Sequence, residues 1–280
     1  MKIKSITTVT HEKQTENDPY KSQYREFNAN GDVLVETRYN SDGEVLSKTV
    51  NIYNEQHQTT RNEFYDAEQE TTEIHDFFYD NRGNLIRETV DFEQGFITVY
   101  NYKYNSDGNE IRISEQDEDG EVEEVKIQRY DANGNLLSEQ IFDDENHMIS
   151  ETINQLDHNQ RLIRKEETDC RYKTSQIHEY YYHESGRLTG IKTVNQKAKV
   201  LNWVKLEFDE KNRPVRQTSM SGAGIVMEYS GENTRSERHI DAYGRVVLEL
   251  ETITDNDGRV LKEISPDSVT EYRYEFFTEE

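Results

Sequence analysis

Apolar residues recur along this chain at fixed distances from short polar turns. The segment YDNRGNLIRETVDF, residues 79–92, places Ile86, Val90 and Phe92 after a turn of Asp, Asn, Arg and Gly. The phrase returns as YNSDGEVLSKTVNI from Tyr39, YNSDGNEIRIS from Tyr104 and YDANGNLLSEQI from Tyr130. After Gly43, Gly83, Gly134 and Asn146, apolar residues follow three and seven positions on, as Leu46 and Val50, Ile86 and Val90, Leu137 and Ile141, and Ile149 and Ile153. A separation of four fits one stripe of a helix or one face of a strand. Asp or Asn with Gly every dozen residues would break a helix before three turns formed. The pattern therefore predicts strands.

The residues that open these turns are Phe27, Tyr39, Tyr53, Tyr65, Tyr79, Phe92, Tyr104, Tyr130, Phe142, Leu156, Tyr182 and Phe208. Every second one falls 26 residues on, or within one residue of that, at 27, 53, 79, 104, 130, 156, 182 and 208. A fixed period of this size is the signature of a repeat architecture. The steps are mostly 12 or 14, both even, and a strand has a side-chain period of two, so each marker is expected on the same inward face. The turn residues Gly31, Gly43, Gly83, Gly108, Gly134, Gly186, Gly244 and Gly258 supply the conformation that closes a hairpin, and Asp or Asn bonds the backbone two residues ahead. Subtracting about four turn residues leaves strands of roughly eight to ten residues.

The predicted fold is all-β, a long antiparallel meander of repeated hairpins that runs as an extended or spiralling sheet. Residues 1–280 form one repeat domain, regular over 27–208, with 1–26 and 209–280 as less regular terminal or capping repeats. Tyr100, Tyr102 and Tyr104, and near the end Tyr272, Tyr274 and Phe276, alternate as strand residues and are read as cross-strand aromatic ladders. Such a sheet has two edges, which predicts an edge-to-edge homodimer.

Composition narrows the function. With 33 basic and 57 acidic side chains the formal charge is -24, which repels nucleic acid and anionic lipid and attracts a basic protein partner. No window has the apolar length of a membrane span or a signal peptide, so a cytoplasmic location is expected. A single cysteine, Cys170, excludes an internal disulfide and fits a reducing compartment.

Catalytic constellations are sparse. His178 and His183 are five apart, unlike two zinc-binding His on one helical face. The stretch EQDEDGEVEE, residues 115–124, starts like a calcium loop but carries Lys126 where the bidentate acid belongs. Cys170 has acidic neighbours that disfavour a reactive thiolate. SGAGIV, residues 221–226, has glycines but no phosphate-binding lysine. The expectation is a protein that is not an enzyme and needs no cofactor or metal. The acidic stretch is the expected partner-binding site: Glu115, Asp117, Glu118, Asp119, Glu121, Glu123 and Glu124.

The segment EYYYHESGRLTGIK from Glu179 resembles the YD repeats of the Rhs family through Tyr180, Tyr182, Gly186, Arg187, Leu188 and Thr189, with His183 where the family has Asp. Tyr102, Tyr104, Asn105 and Gly108, and Asp241, Gly244 and Arg245, match in part. YDANGNLL and FNANGDVL are similar to the repeats of MORN-variant antitoxins. The first resemblance implies a spiralling β shell around a toxin, and both imply a bacterial toxin system. The resulting expectation is an immunity or antitoxin-type protein that neutralises a toxin through an acidic surface. The alternatives are a structural shell or surface fragment of an Rhs-like protein and, below that, a metal-dependent hydrolase on a β scaffold.

Overall fold

The structure, a computed structural model, describes residues 1–15, 18–68, 70–92 and 95–278. Its 22 strands follow the turn spacing of the sequence. The first six are β1 (Ile3–Glu12), β2 (Tyr20–Phe27), β3 (Val33–Tyr39), β4 (Val45–Tyr53), β5 (Thr59–Asp66) and β6 (Thr71–Tyr79). Next come β7 (Leu85–Phe92), β8 (Phe96–Tyr104), β9 (Glu110–Gln116), β10 (Val122–Tyr130), β11 (Leu136–Phe142) and β12 (Met148–Leu156). They continue as β13 (Leu162–Asp169), β14 (Thr174–Tyr182), β15 (Leu188–Asn195), β16 (Val200–Phe208) and β17 (Pro214–Ser219). The last are β18 (Gly224–Ser230), β19 (Thr234–Ile240), β20 (Val246–Thr254), β21 (Val260–Ile264) and β22 (Ser268–Phe276).

Each strand pairs antiparallel with the next, and β22 returns to pair with β1 through Tyr274 opposite Ile6 and Tyr272 opposite Thr8. The meander closes into a barrel. It is neither an open sheet nor a spiral, and the two edges on which an edge-to-edge dimer would depend pair with each other. Packed strands contact only their sequence neighbours, apart from the closing pair. With strands roughly 4.8 Å apart, 22 of them span about 105 Å of circumference, or roughly 35 Å of diameter before tilt widens it.

A wall this wide has no central core. The buried apolar side chains among the described residues are Val90, Val125 and Val194, and the buried polar ones are Ser5, Thr8 and Thr37. Side chains on the concave face converge and cover one another, whereas those on the convex face diverge. On β22, Tyr272, Tyr274 and Phe276 are half-buried while Glu271, Arg273 and Glu275 are exposed. On β16, Val204, Leu206 and Phe208 alternate in the same way with Trp203, Lys205 and Glu207. On these two strands the aromatic and apolar set lines the inner wall and, Trp203 apart, the charged set faces outward.

The hairpins explain why the repeat has two steps. Gly83 N donates to Asp80 O at 3.0 Å and Asp80 N to Asn84 O at 2.9 Å, closing a tight turn with Gly83 at φ 85. Asp80 Oδ1 accepts from the amides of Arg82 and Asn84 at 2.8 and 2.9 Å. The ladder then slips by one residue between Phe78 and Tyr79, so Tyr79 opposes Leu85. This extra residue is a bulge that inverts the facing of everything after it. The expectation that every marker keeps one face is corrected accordingly. Tyr53, Tyr79, Tyr104, Tyr130 and Tyr182 share the inner face, whereas Tyr39, Tyr65 and Phe142 sit on the outer one. Ile86, Val90 and Phe92 do share the inner face.

Tyrosine at the inner marker position has its own cause. Except at Tyr130, which donates to Gln128 Oε1 at 2.8 Å, its hydroxyl donates to the carbonyl just past the preceding bulge on the same rim, where the ladder is broken. Tyr53 donates to Val33 O at 2.8 Å, Tyr79 to Thr59 O at 2.7 Å, Tyr104 to Leu85 O at 3.0 Å, and Tyr182 to Leu162 O at 2.8 Å. Tyr229 and Tyr274 do the same to Pro214 O and Val260 O. A phenol satisfies an acceptor that phenylalanine would leave to water. All six lie at the ends of even-numbered strands.

That rim is also laced by side chains. His57 Nδ1 meets Asp32 Oδ2 at 3.0 Å, Gln58 Nε2 donates to Gly83 O at 2.7 Å, Asn135 Nδ2 to Gln160 Oε1 at 2.8 Å, and Asn233 Nδ2 to Asn256 Oδ1 at 2.9 Å. Arg161 and Arg213 each bond their own turn aspartate and stack on the ring of the next repeat, Tyr182 and Tyr229, at 4.7 and 4.0 Å. On the opposite rim, formed by turns that follow odd-numbered strands, the comparable links among the described residues include Gln196 Nε2 to Lys173 O at 2.8 Å, Lys13 Nζ to Ser265 O at 2.6 Å and Gln14 Nε2 to Asp267 Oδ1 at 2.5 Å.

Candidate binding site on the inner wall

A concavity of the inner wall, of about 400 Å³, lies across β6 to β10. Register alone assembles it. Glu73 and His75 on β6 face Phe92 and Val90 on β7, Glu88 faces Tyr100 on β8, Tyr100 faces Glu115 on β9, and Glu115 faces Glu124 on β10. Val90, at 5% exposure, forms the floor. Lys126 is the lining cation.

The polar groups are connected in a chain. Tyr102 Oη donates to Glu88 Oε2 at 3.0 Å, and His75 Nδ1 donates to Glu88 Oε1 at 2.9 Å. The other ring nitrogen of His75 lies 3.8 Å from Glu73 Oε2. Burial pushes the Glu115 carboxyl above its ordinary value, and the neighbouring charges of Glu124 and Glu123 push it the same way, with Lys126 opposing them. Burial likewise raises the Tyr100 and Tyr102 phenols, reinforced by Glu115 and Glu88 respectively. Four carboxylates therefore share a concave, aromatic-lined space with one lysine and one histidine. Chemically this is a seat for a cation, with rings able to cover its apolar stem.

The acidic stretch expected to bind a partner is divided by the fold. Glu115 and Glu124 come together on the inner wall. Glu123 sits on the bulge between them and outside that pair. Asp117, Glu118, Asp119 and Glu121 belong to the turn from β9 to β10, where Glu121 N donates to Asp117 Oδ1 at 2.8 Å. The stretch is no insert. Gln116 occupies the marker place, Asp117 closes the turn, and Gly120 has φ 82 like the other turn glycines.

The segment from Asn195 to Trp203, which looks irregular in sequence, is regular too. Asn195 Oδ1 accepts from the amides of Lys197 and Lys199, both at 3.0 Å, and Ala198 takes the glycine position at φ 57. His183 does the work of the missing aspartate, its Nδ1 accepting from Ser185 N at 3.1 Å. It lies in a turn, whereas His178 lies on the inner wall against Glu167 at 2.9 Å. Cys170 is a half-exposed free thiol. Among the described residues no group of three or more His, Cys, Asp or Glu is arranged to hold a metal ion.

Glu73, His75 and Glu88 do not stand out by motif, and Tyr100 and Tyr102 stand out only as an alternating aromatic row. They could have been found by arithmetic, because each turn fixes its register and cross-strand partners then sum to a constant. Val99 with Gln116 and Tyr100 with Glu115 both sum to 215.

No protein-family model and no curated protein matches the chain. Among solved structures it is similar to the TcdB2-TccC3 complex without its hypervariable C-terminal region, at 15% identity and TM-score 0.43, over 90% of this chain. It spans about 15% of that longer chain. It is also similar to a porin-like protein from Bacteroides uniformis, at 10% identity and TM-score 0.31, over 98% of this chain and 96% of that one. At this level neither likeness assigns a family or a function.

Proposed function

We propose that the barrel is a non-enzymatic binding protein of the cytoplasm that holds a basic polypeptide, most concretely a toxin domain that it neutralises as an immunity or antitoxin-type protein. The observation that carries this reading is the meeting of Glu73, Glu88, Glu115 and Glu124 on one concave wall with a single lysine. A folded protein keeps like charges together at a cost, and the Glu115 carboxyl is raised first by burial and then by the neighbouring charges of Glu124 and Glu123. An incoming lysine or arginine would relieve it. The outer wall supports a water-facing barrel: Arg61 pairs with Asp76 at 3.0 Å and Lys192 with Glu179 at 3.1 Å in mid-strand, where lipid would disfavour charge.

The test is titration calorimetry with a Lys/Arg-rich polypeptide and a neutral one of equal length. Preferential binding of the basic polypeptide is expected, weakened by salt and by E88Q/E124Q. Equal binding of the two, or pocket variants that bind as the wild type does, would sink the proposal. The open lumen favours a second reading, a shell that encloses its partner. An enclosed partner would stay bound at high salt once loaded, whereas a wall-bound one would leave.

A further inference from the structure

The acidity of this chain is not spread evenly. From Ser185 to Leu206 there is no Asp or Glu, although 57 of 280 residues are acidic, and the same stretch carries Arg187, Lys192, Lys197, Lys199 and Lys205. The fold concentrates the effect on the rim formed by turns after odd-numbered strands. There the turn after β13 holds Arg171 and Lys173, and the turn after β15 holds Lys197 and Lys199. Gln196 Nε2 bonds Lys173 O, so these turns are neighbours. All four cations are exposed, and none forms an ion pair among the described residues. Tyr172 stands between them at 77% exposure.

The two preceding turns of the same rim have the opposite sign. The turn after β9 holds Asp117, Glu118, Asp119 and Glu121, and the turn after β11 holds Asp143, Asp144 and Glu145. Asp117 and Asp143 are held in their own turns, Asp144 Oδ1 accepts from Glu145 N at 3.0 Å, Glu145 lies 3.4 Å from His147, and Glu118, Asp119, Asp144 and Glu145 are all exposed. Four successive turns, about 10 Å apart by strand spacing, thus run acidic, acidic, basic, basic. The change of sign falls between the turn of Asp144 and the turn of Arg171.

A surface with this order is complementary to itself. A two-fold axis at the change of sign sets Arg171 and Lys173 against Asp144 and Glu145 of a second copy, and Lys197 and Lys199 against Glu118 and Asp119 of that copy. Each contact then occurs twice, as an isologous interface requires. We infer that this rim is a self-association surface, and that two copies of the chain meet on it rim to rim through these four turns. This inference rests on the outer tips of the turns and is independent of what the inner wall binds.

Light scattering after size exclusion, with the full chain at about 100 µM, tests it at about 50 mM and 500 mM salt. A dimer at low salt that dissociates at high salt is expected. Salt also screens the repulsion between two chains of charge -24, so a dimer held by apolar contact would strengthen instead. K197E/K199E and E118K/D119K should each weaken the dimer, on the order of tenfold or more, with circular dichroism unchanged. Mixing the two variants should restore it, since every contact is then between opposite charges. A monomeric wild type at low salt, a dimer that salt strengthens, or variants that do not recover on mixing would each overturn the inference.

Discussion

Replacing Ala198 by glycine should make the protein more stable. Ala198 sits at φ 57, in the turn place that Gly43, Gly83 and Gly134 fill elsewhere at φ 82 to 85. A side chain in that region costs roughly 1–2 kcal/mol. Glycine removes the cost but frees the unfolded chain, which returns about 0.4–1 kcal/mol. The net gain is roughly 0.5–1 kcal/mol. For a chain of 280 residues an unfolding entropy near 0.6 kcal/mol/K makes this about 1–2 °C in Tm. The reverse exchange, G43A, isolates the same quantity, because a Cβ at Gly43 meets no atom within 4 Å and adds only backbone strain. It should lose about as much as A198G gains. Guanidinium unfolding of both variants, compared at constant slope, measures the pair. A destabilised A198G, or two variants that shift the same way, would refute the view that backbone conformation sets residue choice in these turns.

Three further outcomes follow from the same wall. Y79F removes the phenol that bonds Thr59 O and should cost about 1 kcal/mol, while Y172F, at an exposed tip, should cost nothing measurable in the same unfolding assay. G224A would put a Cβ 2.1 Å from Gln217 O, so β17 and β18 must part, and a loss of roughly 3 kcal/mol or more should show as a lowered midpoint. The turn carboxylates of Asp80, Asp131, Asp157, Asp209 and Asp241 all lie below their ordinary value of 3.8, Asp157 at about 2. In Asp80, Asp131 and Asp157 the main cause is a side-chain hydrogen bond from the residue four ahead, and in Asp209 and Asp241 it is that residue's amide. A depressed folded value gives stability that is complete above the unfolded value and lost as pH falls through the folded one. Urea midpoints should therefore fall between about pH 4 and pH 2, and a flat profile across that window would contradict the assignment.

Turn chemistry carried most of the fold into the sequence. Asp or Asn with Gly three residues on marked hairpins such as Asp80 to Gly83 and Asp131 to Gly134 directly. The strands between them followed. Closure did not, because pairing of β1 with β22 is a contact between the two ends of the chain that no local pattern records. The facing of alternate markers was lost for a related reason. A bulge adds one residue without changing composition, so Tyr39 and Tyr53 look alike in sequence and face opposite ways. The inner site was half legible: Glu115 and Glu124 were singled out as acids, but Glu88, His75 and Tyr102 join them only through register. The acid-free run from Ser185 to Leu206 is open to counting in the sequence, although the net charge masks it.

The phenol bonds fall on one mouth of the barrel and not on the other. Mechanically the wall is a basket with a bound hem: the rim of Tyr53, Tyr79 and Tyr182 is tied carbonyl by carbonyl, while the far rim lacks the phenol ties and is joined between hairpins by side chains such as Gln196, Lys13 and Gln14. Any change of bore should therefore flare from the loose mouth, with hydrogen exchange fastest at the turns of Asp119 and Lys197 and slowest around Thr59 and Leu162. A guest threading the lumen would meet an adjustable entrance and a fixed exit.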